Sequence, residues 1–347
     1  MRHAGRLIRS ASLNGYIDLV ESLGRDPHAF LERVGLSAQI LDDPEALIPA
    51  DAVRELLEIT SRATRREDFA LRLASHRTFS DLGALSLVLK EEPTPRQALD
   101  TLCRYLKLLN TSLITRIEDV GQSVVIREDL VPSHHLPTRQ SMELAVAVMF
   151  RILRELIGPQ WQPQQVYFTH RAPADASGHR AFFGRAPKFN QEFNGMVCAA
   201  ADLQISRTAA NPKAVRFARH YLDAALPQRG GSLGEACREV VLVLLPSGEC
   251  TAQQVAQHLR VDRRTLHRHL GAQGSSFTKL LNEVRSELVM RHLRDSDLSL
   301  GEVSSLLGFA SQSGFSHWFR ATFGCSVSQW RARAPGAAAD SAVPGRR

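Results

Sequence analysis

The sequence predicts an α+β amino-terminal domain followed by an all-α carboxy-terminal domain with two helix-turn-helix units. Three observations carry that expectation. The 347 residues exceed the usual size of one domain. The hydrophobic period switches from helical to alternating and back within the first two thirds of the chain. The last third writes a short helix, a tight turn and a second helix twice, from Thr251 to Leu270 and from Ser299 to Phe319. Val255 to Val303 and Leu259 to Leu307 are each 48 apart, whereas Leu266 to Phe315 and Leu270 to Phe319 are each 49 apart. One residue has been added in the second turn.

Up to about Leu109 the pattern is helical. Ala50 to Thr64 places Val53, Leu56, Leu57 and Thr60 at helical spacing. Ala98, Leu99, Leu102, Leu106 and Leu109 repeat the signal behind Thr94-Pro95, a helix start. The period then shortens: Leu113 to Glu118 and Val124 to Asp129 are β-rich runs around Val120-Gly121-Gln122, which predicts a hairpin. Met142 to Ile157 returns to a helix ended by Gly158-Pro159, and Gln165 to Thr169 and Met196 to Ala199 read as short strands. A helical stretch, Pro212 to Leu226, runs into Pro227-Gln-Arg-Gly-Gly-Ser232, which cannot continue a helix and marks the boundary. The expected layout is a domain over residues 1–226, a linker over 227–234 and a helical domain over 235–333. A tail over 334–347, rich in Ala, Gly and Pro, has little to bury and is expected to be disordered.

Charge follows the repeat. The chain nets +7, and from Cys237 to Arg333 there are 12 basic against 8 acidic residues. That balance favours polyanionic partners. The cysteines at 103, 198, 237, 250 and 325 are odd in number and lack C-x-x-C spacing, so neither a disulfide framework nor a structural zinc site is expected. Met1 to Ser10 lacks the apolar run of a signal peptide, and nowhere do about 18 apolar residues run together. A cytoplasmic protein without membrane association is expected.

In the first copy of the repeat Val255, Ala256, Leu259, Val261, Leu266 and Leu270 face inward, so its second helix leaves Arg263, Arg264, His267 and Arg268 outside. Arg264 and Arg268 stand four apart, on one face. An arginine fork matches guanine O6 and N7, and a lone helix fits the major groove. A solvated basic face would use the same residues, but the helix-turn-helix context favours double-stranded DNA. The second copy places Val303, Leu306, Leu307, Phe309, Phe315 and Phe319 inside and leaves Gln312, Ser313, Ser316 and His317 as base readers of weaker grip. Arg320 and Arg331 suit phosphate contacts, which position without reading sequence. Between the copies Phe277, Leu280, Leu281, Val284, Leu288, Met290 and Leu293 form one stripe. That helix would hold the two heads one duplex turn, about 34 Å, apart.

These residues carry a family resemblance. Gly271-Ala-Gln-Gly-Ser-Ser-Phe277, Leu280-Leu281-Asn-Glu-Val-Arg285, Leu307-Gly-Phe309, Phe315-Ser-His-Trp-Phe319-Arg320 and Phe323-Gly-Cys-Ser-Val-Ser-Gln-Trp-Arg331 resemble the DNA-binding domain of AraC/XylS transcription regulators. Val327 stands where that family commonly has Pro, which implies a looser turn, and His317 where it commonly has Arg, which implies a weaker second head. The amino-terminal half resembles the arabinose-binding-type domain of the ornithine-utilisation-regulator subgroup through Phe79-Ser-Asp-Leu-Gly-Ala84, Cys103-Arg-Tyr105, Ala172-Pro-Ala-Asp175 and Phe182-Phe-Gly184. The resemblance implies a transcription activator that works with RNA polymerase at an operator, senses a small-molecule effector and pairs as a homodimer. Tyr105, Phe168, Phe182 and Phe183 are candidate effector-pocket residues, although plain core would use the same side chains.

Other classes are weighed against this. No H-E-x-x-H, Walker loop or G-x-G-x-x-G occurs, so an enzyme reading lacks these usual signatures, and no cofactor or metal is expected. His134-His135 sits in a loop without a clear third ligand. A DNA-repair methyl acceptor would need an activated cysteine, and none precedes Cys103. A regulator whose amino-terminal domain only dimerises or docks a partner stays open, because a pocket and a solid core draw on the same residues.

Overall fold

The computed structural model describes residues 5–131, 136–184, 187–207, 212–226, 233–248, 250–259 and 261–333. Contacts divide the chain into one unit up to residue 232 and a second from residue 233. Most of the expected linker (227–232), the expected tail (334–347) and His134-His135 lie outside the described residues, while Leu233 and Gly234 already belong to a helix.

The first unit begins differently from its all-helical reading. β1 (Leu7–Arg9) and β2 (Leu47–Pro49) pair antiparallel, with Ile8 opposite Ile48. Three-residue strands are too short for alternation to register. Between them stand α1 (Tyr16–Ser22) and α2 (Pro27–Arg33). α3 (Ala50–Thr64) buries Val53, Leu56, Leu57 and Thr60 as the spacing predicts. α4 (Phe69–His76) and α5 (Ala84–Glu91) precede α6 (Pro95–Leu109). Thr94 caps α6 by accepting a hydrogen bond from the Gln97 amide, and Pro95 occupies the first turn, where its missing N–H costs nothing.

β3 (Leu113–Val120) and β4 (Ser123–Leu130) form the expected hairpin, closed by Gly121-Gln122 with Gly121 at φ +60°. α7 (Arg139–Ile157), β5 (Gln165–Tyr167), α8 (Ser177–Phe183), β6 (Asn194–Ala199), α9 (Ala200–Leu203) and α10 (Pro212–Ala225) complete the unit. The four-stranded sheet runs β3-β4-β6-β5 and is antiparallel throughout. α7 packs against β4, β6, α3, α4 and α6, so it is the central helix of the core. A buried polar joint fastens it: Glu143 Oε1 lies 3.0 Å from His179 Nε2, 3.2 Å from His170 Nε2 and 3.1 Å from Arg139 Nε. Burial opposes the charge on Glu143, but the two histidines and Arg139 hold its carboxyl below the ordinary range.

The second unit is helical: α11 (Leu233–Leu244), α12 (Ala252–His258), α13 (Arg263–Ala272), α14 (Phe277–Asp295), α15 (Leu300–Leu306), α16 (Gln312–Phe323) and α17 (Val327–Arg333). The turn Leu259 to Asp262 of the first copy is one residue shorter than Leu307 to Ser311 of the second, as the spacing requires. α14 buries Phe277, Leu280, Val284, Leu288 and Leu293, leaves Leu281 and Met290 half-buried, and adds Val289 and His292 to the core. α11 packs on α12, α13 and α14 through Cys237, Val241 and Leu242, and Arg238 pairs with Glu287 on α14.

Candidate nucleic-acid interface

Each second helix of the repeat is started by a side-chain cap. Asp262 accepts from the Thr265 amide at 2.7 Å and its hydroxyl at 2.8 Å, which fixes the first turn of α13. Those bonds hold the Asp262 carboxyl below its ordinary range, so the cap stays charged against the helix dipole. Leu266 and Leu270 turn inward onto α12, whose Val255 and Ala256 are buried. Arg263, Arg264, His267 and Arg268 are left exposed on α13. The Arg263 Nε donates to His267 Nε2 across 3.4 Å, so those two share one stretch of surface.

On α16 Ser311 is the cap, accepting from the Gly314 amide at 3.2 Å. Phe315 and Phe319 are buried, and Gln312, Ser313, Ser316, His317 and Arg320 are exposed. The hydroxyls are already engaged locally: Ser313 lies 3.0 Å from the Ser311 hydroxyl and Ser316 donates to the Gln312 carbonyl at 2.9 Å. The Ser316 hydroxyl has donated its proton and can still accept, so it suits a base amino group better than a base carbonyl. Arg331, on α17, is half-buried. Val327 does not open the turn before it. The Ser326 hydroxyl accepts from the Gln329 amide at 3.2 Å, the Gln329 side chain accepts from the Ser326 amide at 2.9 Å, and Val327 is buried.

The brace between α14 and the second copy is made by Arg285 and Asn282, whose polar contacts no periodicity marks. Arg285 donates from Nε to the Leu307 carbonyl at 3.0 Å and from Nη2 to the Gly308 carbonyl at 3.1 Å. Its guanidinium lies 4.1 Å over the Phe309 ring. Asn282 accepts from the Trp318 indole N–H at 3.1 Å. Gly308 sits at φ +66°, and a Cβ there would stand 2.5 Å from the Leu245 carbonyl oxygen. The quoted motif contains Asn282, Arg285, Gly308, Phe309 and Trp318, but polar bonds to a turn carbonyl leave no period in a sequence.

In the first unit a cavity of about 110 Å³ opens among α3, α6, α7, β3 and β4. None of Tyr105, Phe168, Phe182 and Phe183 lines it. Phe168 and Phe183 are fully buried in an aromatic cluster, with ring centroids 5.9 Å apart, and Phe182 lies 4.9 Å from Phe183. Tyr105 is buried and its hydroxyl donates to Asp223 at 2.6 Å. These rings pack on one another, whereas the cavity is lined by aliphatic and polar residues.

Comparison with known proteins follows the same division. Residues 24–206 match the arabinose-binding domain of AraC transcription regulators, and residues 255–333 match a helix-turn-helix domain. The HTH-type transcriptional regulator VirS of Mycobacterium tuberculosis is 28% identical over 94% of this chain and 97% of its own length. The ornithine utilization regulator of Pseudomonas aeruginosa is 23% identical over 95% and 98%. The transcriptional activator NphR of a Rhodococcus species is 34% identical over 25% of this chain and 26% of its own. A crystal structure of the transcriptional regulator CdpR from Pseudomonas aeruginosa aligns over 88% of this chain and 96% of its own, at 19% identity and a TM-score of 0.44.

Proposed function

The chain belongs to the AraC family of DNA-binding transcription regulators, and from that premise we propose that it reads a specific operator with α13 and α16 and activates transcription under small-molecule control. The observation that carries the reading is the pair of side-chain-capped helices, each with its apolar residues inward and a polar row exposed. Arg263, Arg264, His267 and Arg268 would read bases from the first head, and Gln312, Ser313, Ser316 and His317 from the second. Arg320 and Arg331 would hold phosphates. α14 has 19 residues and is about 28 Å long at 1.5 Å per residue, a suitable spacer for heads placed on consecutive major grooves.

On this reading residues 1–226 would form the sensing domain and residues 235–333 the DNA-binding domain. Effector binding would bias the pairing of amino-terminal domains in a homodimer, and so the placement of the heads before RNA polymerase. Among the described residues no helix is long and apolar enough to cross a membrane, which suits a regulator working in the cytoplasm. Footprinting of the full chain on fragments selected from the source genome tests the reading. Two protected stretches about 10 base pairs apart are expected. Protection of one stretch, or none that depends on sequence, overturns it.

A docking or dimerisation role without sensing has one observation in its favour. Phe217 and Tyr221 on α10 and Leu87 on α5 are 78%, 56% and 51% exposed, and those two helices pack together. Thermal shift against a metabolite panel separates the readings: dimers formed with no stabilisation by any compound favour docking alone. The methyl-acceptor reading needs a thiolate. Burial instead pushes the Cys103 and Cys198 thiols up to about 12 and those of Cys237 and Cys250 to about 11.

A further inference from the structure

The cavity in the first unit has a mixed lining. Leu57, Leu102, Leu106, Leu144, Val148 and Ile152 are aliphatic, and among the described residues no aromatic ring lines the space. Arg9, Arg77 and Asp81 are charged, and Glu128 and Ser141 each add a buried oxygen without a hydrogen-bond partner. The Arg9 side chain is 6% exposed; it is paired with Glu45 and donates to the Asp81 carbonyl at 3.1 Å, while its Nε has no hydrogen-bond partner. Arg77 is less well served. Its Nε lies 4.0 Å from Asp81 Oδ2 and makes no hydrogen bond, while Asp81 accepts from Asn14 at 2.9 Å and from the Thr78 amide at 2.8 Å. The Arg77 side chain is 14% exposed. Burial lowers its pKa to about 10 despite Asp81, with the charges of Arg9 and Arg151 adding to the effect.

Arg9 is paired with Glu45 and Arg54 with Asp51, whereas Arg77 has Asp81 only at 4.0 Å, and burial pushes the lining carboxyl of Glu128 up to about 8, so it is mostly uncharged at neutral pH. A buried cation short of partners is costly, and a ligand bringing an anion to it recovers that cost. We propose that this cavity binds a short aliphatic monocarboxylate, its carboxylate on Arg77 beside Arg9 and its chain along the leucine-rich wall. Space sets the length. A dry apolar cavity of about 150 Å³ accepts the six carbons of benzene, so the space of about 110 Å³ here encloses about four or five non-hydrogen atoms, and the rest of a short chain lies toward its opening.

This inference rests on the reading that the first unit is a sensor, and it names the ligand class. The test is calorimetric titration and thermal shift of the full chain with hexanoate, hexanamide, hexylamine and L-arabinose, followed by operator titration with and without hexanoate. Hexanoate is expected to bind and raise the Tm, and hexanamide to bind at least about tenfold more weakly, since it lacks the charge. Arg77→Gln should cost hexanoate about tenfold or more and change hexanamide little, with Arg77→Lys recovering part of the loss. Ala145→Phe, which fills the cavity from α7, should abolish both and serves as a second route should Arg77 variants fold poorly. Equal binding of hexanoate and hexanamide, or hexanoate binding unchanged in Ala145→Phe, overturns the proposal. Stabilisation by arabinose or hexylamine and not by hexanoate also overturns it, yet leaves a sensor. Hexanoate binding as described with unaltered operator affinity upholds the ligand class and removes the sensing role instead.

Discussion

Replacing Arg285 with Met should loosen the second reading head and spare the first. The substitution keeps an unbranched apolar stem and deletes the guanidinium, so it removes two bonds to the turn carbonyls of Leu307 and Gly308 and the contact over Phe309. A hydrogen bond to a charged group contributes about 1.5–3 kcal/mol and a cation over a ring about 0.5–1 kcal/mol. Arg285 is half-buried and the three contacts share one group, so the sum is discounted to about 2–4 kcal/mol. At 1.36 kcal/mol per decade, that is roughly 30- to 1,000-fold in the opening equilibrium of the second copy. Hydrogen exchange on the full chain reads this directly. Amides of α15 and α16 should exchange faster by that factor, while those of α12 and α13 stay within a fewfold, and the footprint should lose its second stretch first. Uniform acceleration across all four helices, or none, would refute the assignment of Arg285 as the brace of one head.

Arg264→Ala or Arg268→Ala should weaken operator binding by about 1–3 kcal/mol and binding to random duplex far less; equal losses in a competition titration would mean phosphate contact only. Glu128→Gln should flatten the alkaline side of the stability curve. Burial raises the folded pKa of Glu128 to about 8 from an ordinary 4.5, so the folded state holds a proton that the unfolded state has lost, and stability falls as pH rises between those values. Denaturant midpoints at pH 6 and pH 9 should therefore separate in the wild type and draw together in the variant, and equal separations would reject burial of that carboxyl. Gly308→Ala should destabilise the second unit by about 1–3 kcal/mol, because φ +66° and the Leu245 carbonyl oxygen both oppose a Cβ; an unchanged melting curve would contradict the close approach.

What could be read in the chain was whatever repeats with a period. The helices 50–64 and 95–109, the hairpin around Gly121-Gln122 and both copies of the helix-turn-helix were visible because burial on one face imposes spacing. The exposed rows on α13 and α16 followed as complements of the buried positions. β1 and β2 stayed hidden because three residues hold no period, and α11 because Leu233 to Leu244 carries no cap or turn signal that sets it apart from the boundary before it. Polar joints were silent for another reason. The Glu143, His170, His179 cluster spans residues far apart in sequence, and His292, pushed down to about 3 by burial, looks on paper like any basic residue of a helix end. Phe168, Phe182 and Phe183 pack on one another and do not line the cavity, since large rings are what a close-packed core uses to fill space.

The two heads differ in a way that bears on how the brace is used. The first presents Arg263, Arg264 and Arg268, three fixed charges on one helix, and the second presents Gln, Ser, Ser and His with Arg320 at its far end. Counterion release scales with the charges brought to the duplex, so on this reading most salt-dependent affinity belongs to α13, and α16 alone would hold DNA poorly. A weak head contributes only if the strong one delivers it already oriented, because attachment turns its binding into an intramolecular step whose gain depends on stiffness. The bonds from Asn282 and Arg285 to the second copy fit that requirement: they spend polar contacts on fixing the head that has fewest of its own. It follows that the operator should be asymmetric, with a strongly specified half facing α13 and a tolerant half facing α16. Substitutions in the tolerant half should matter more once Arg285 is intact than after it is replaced.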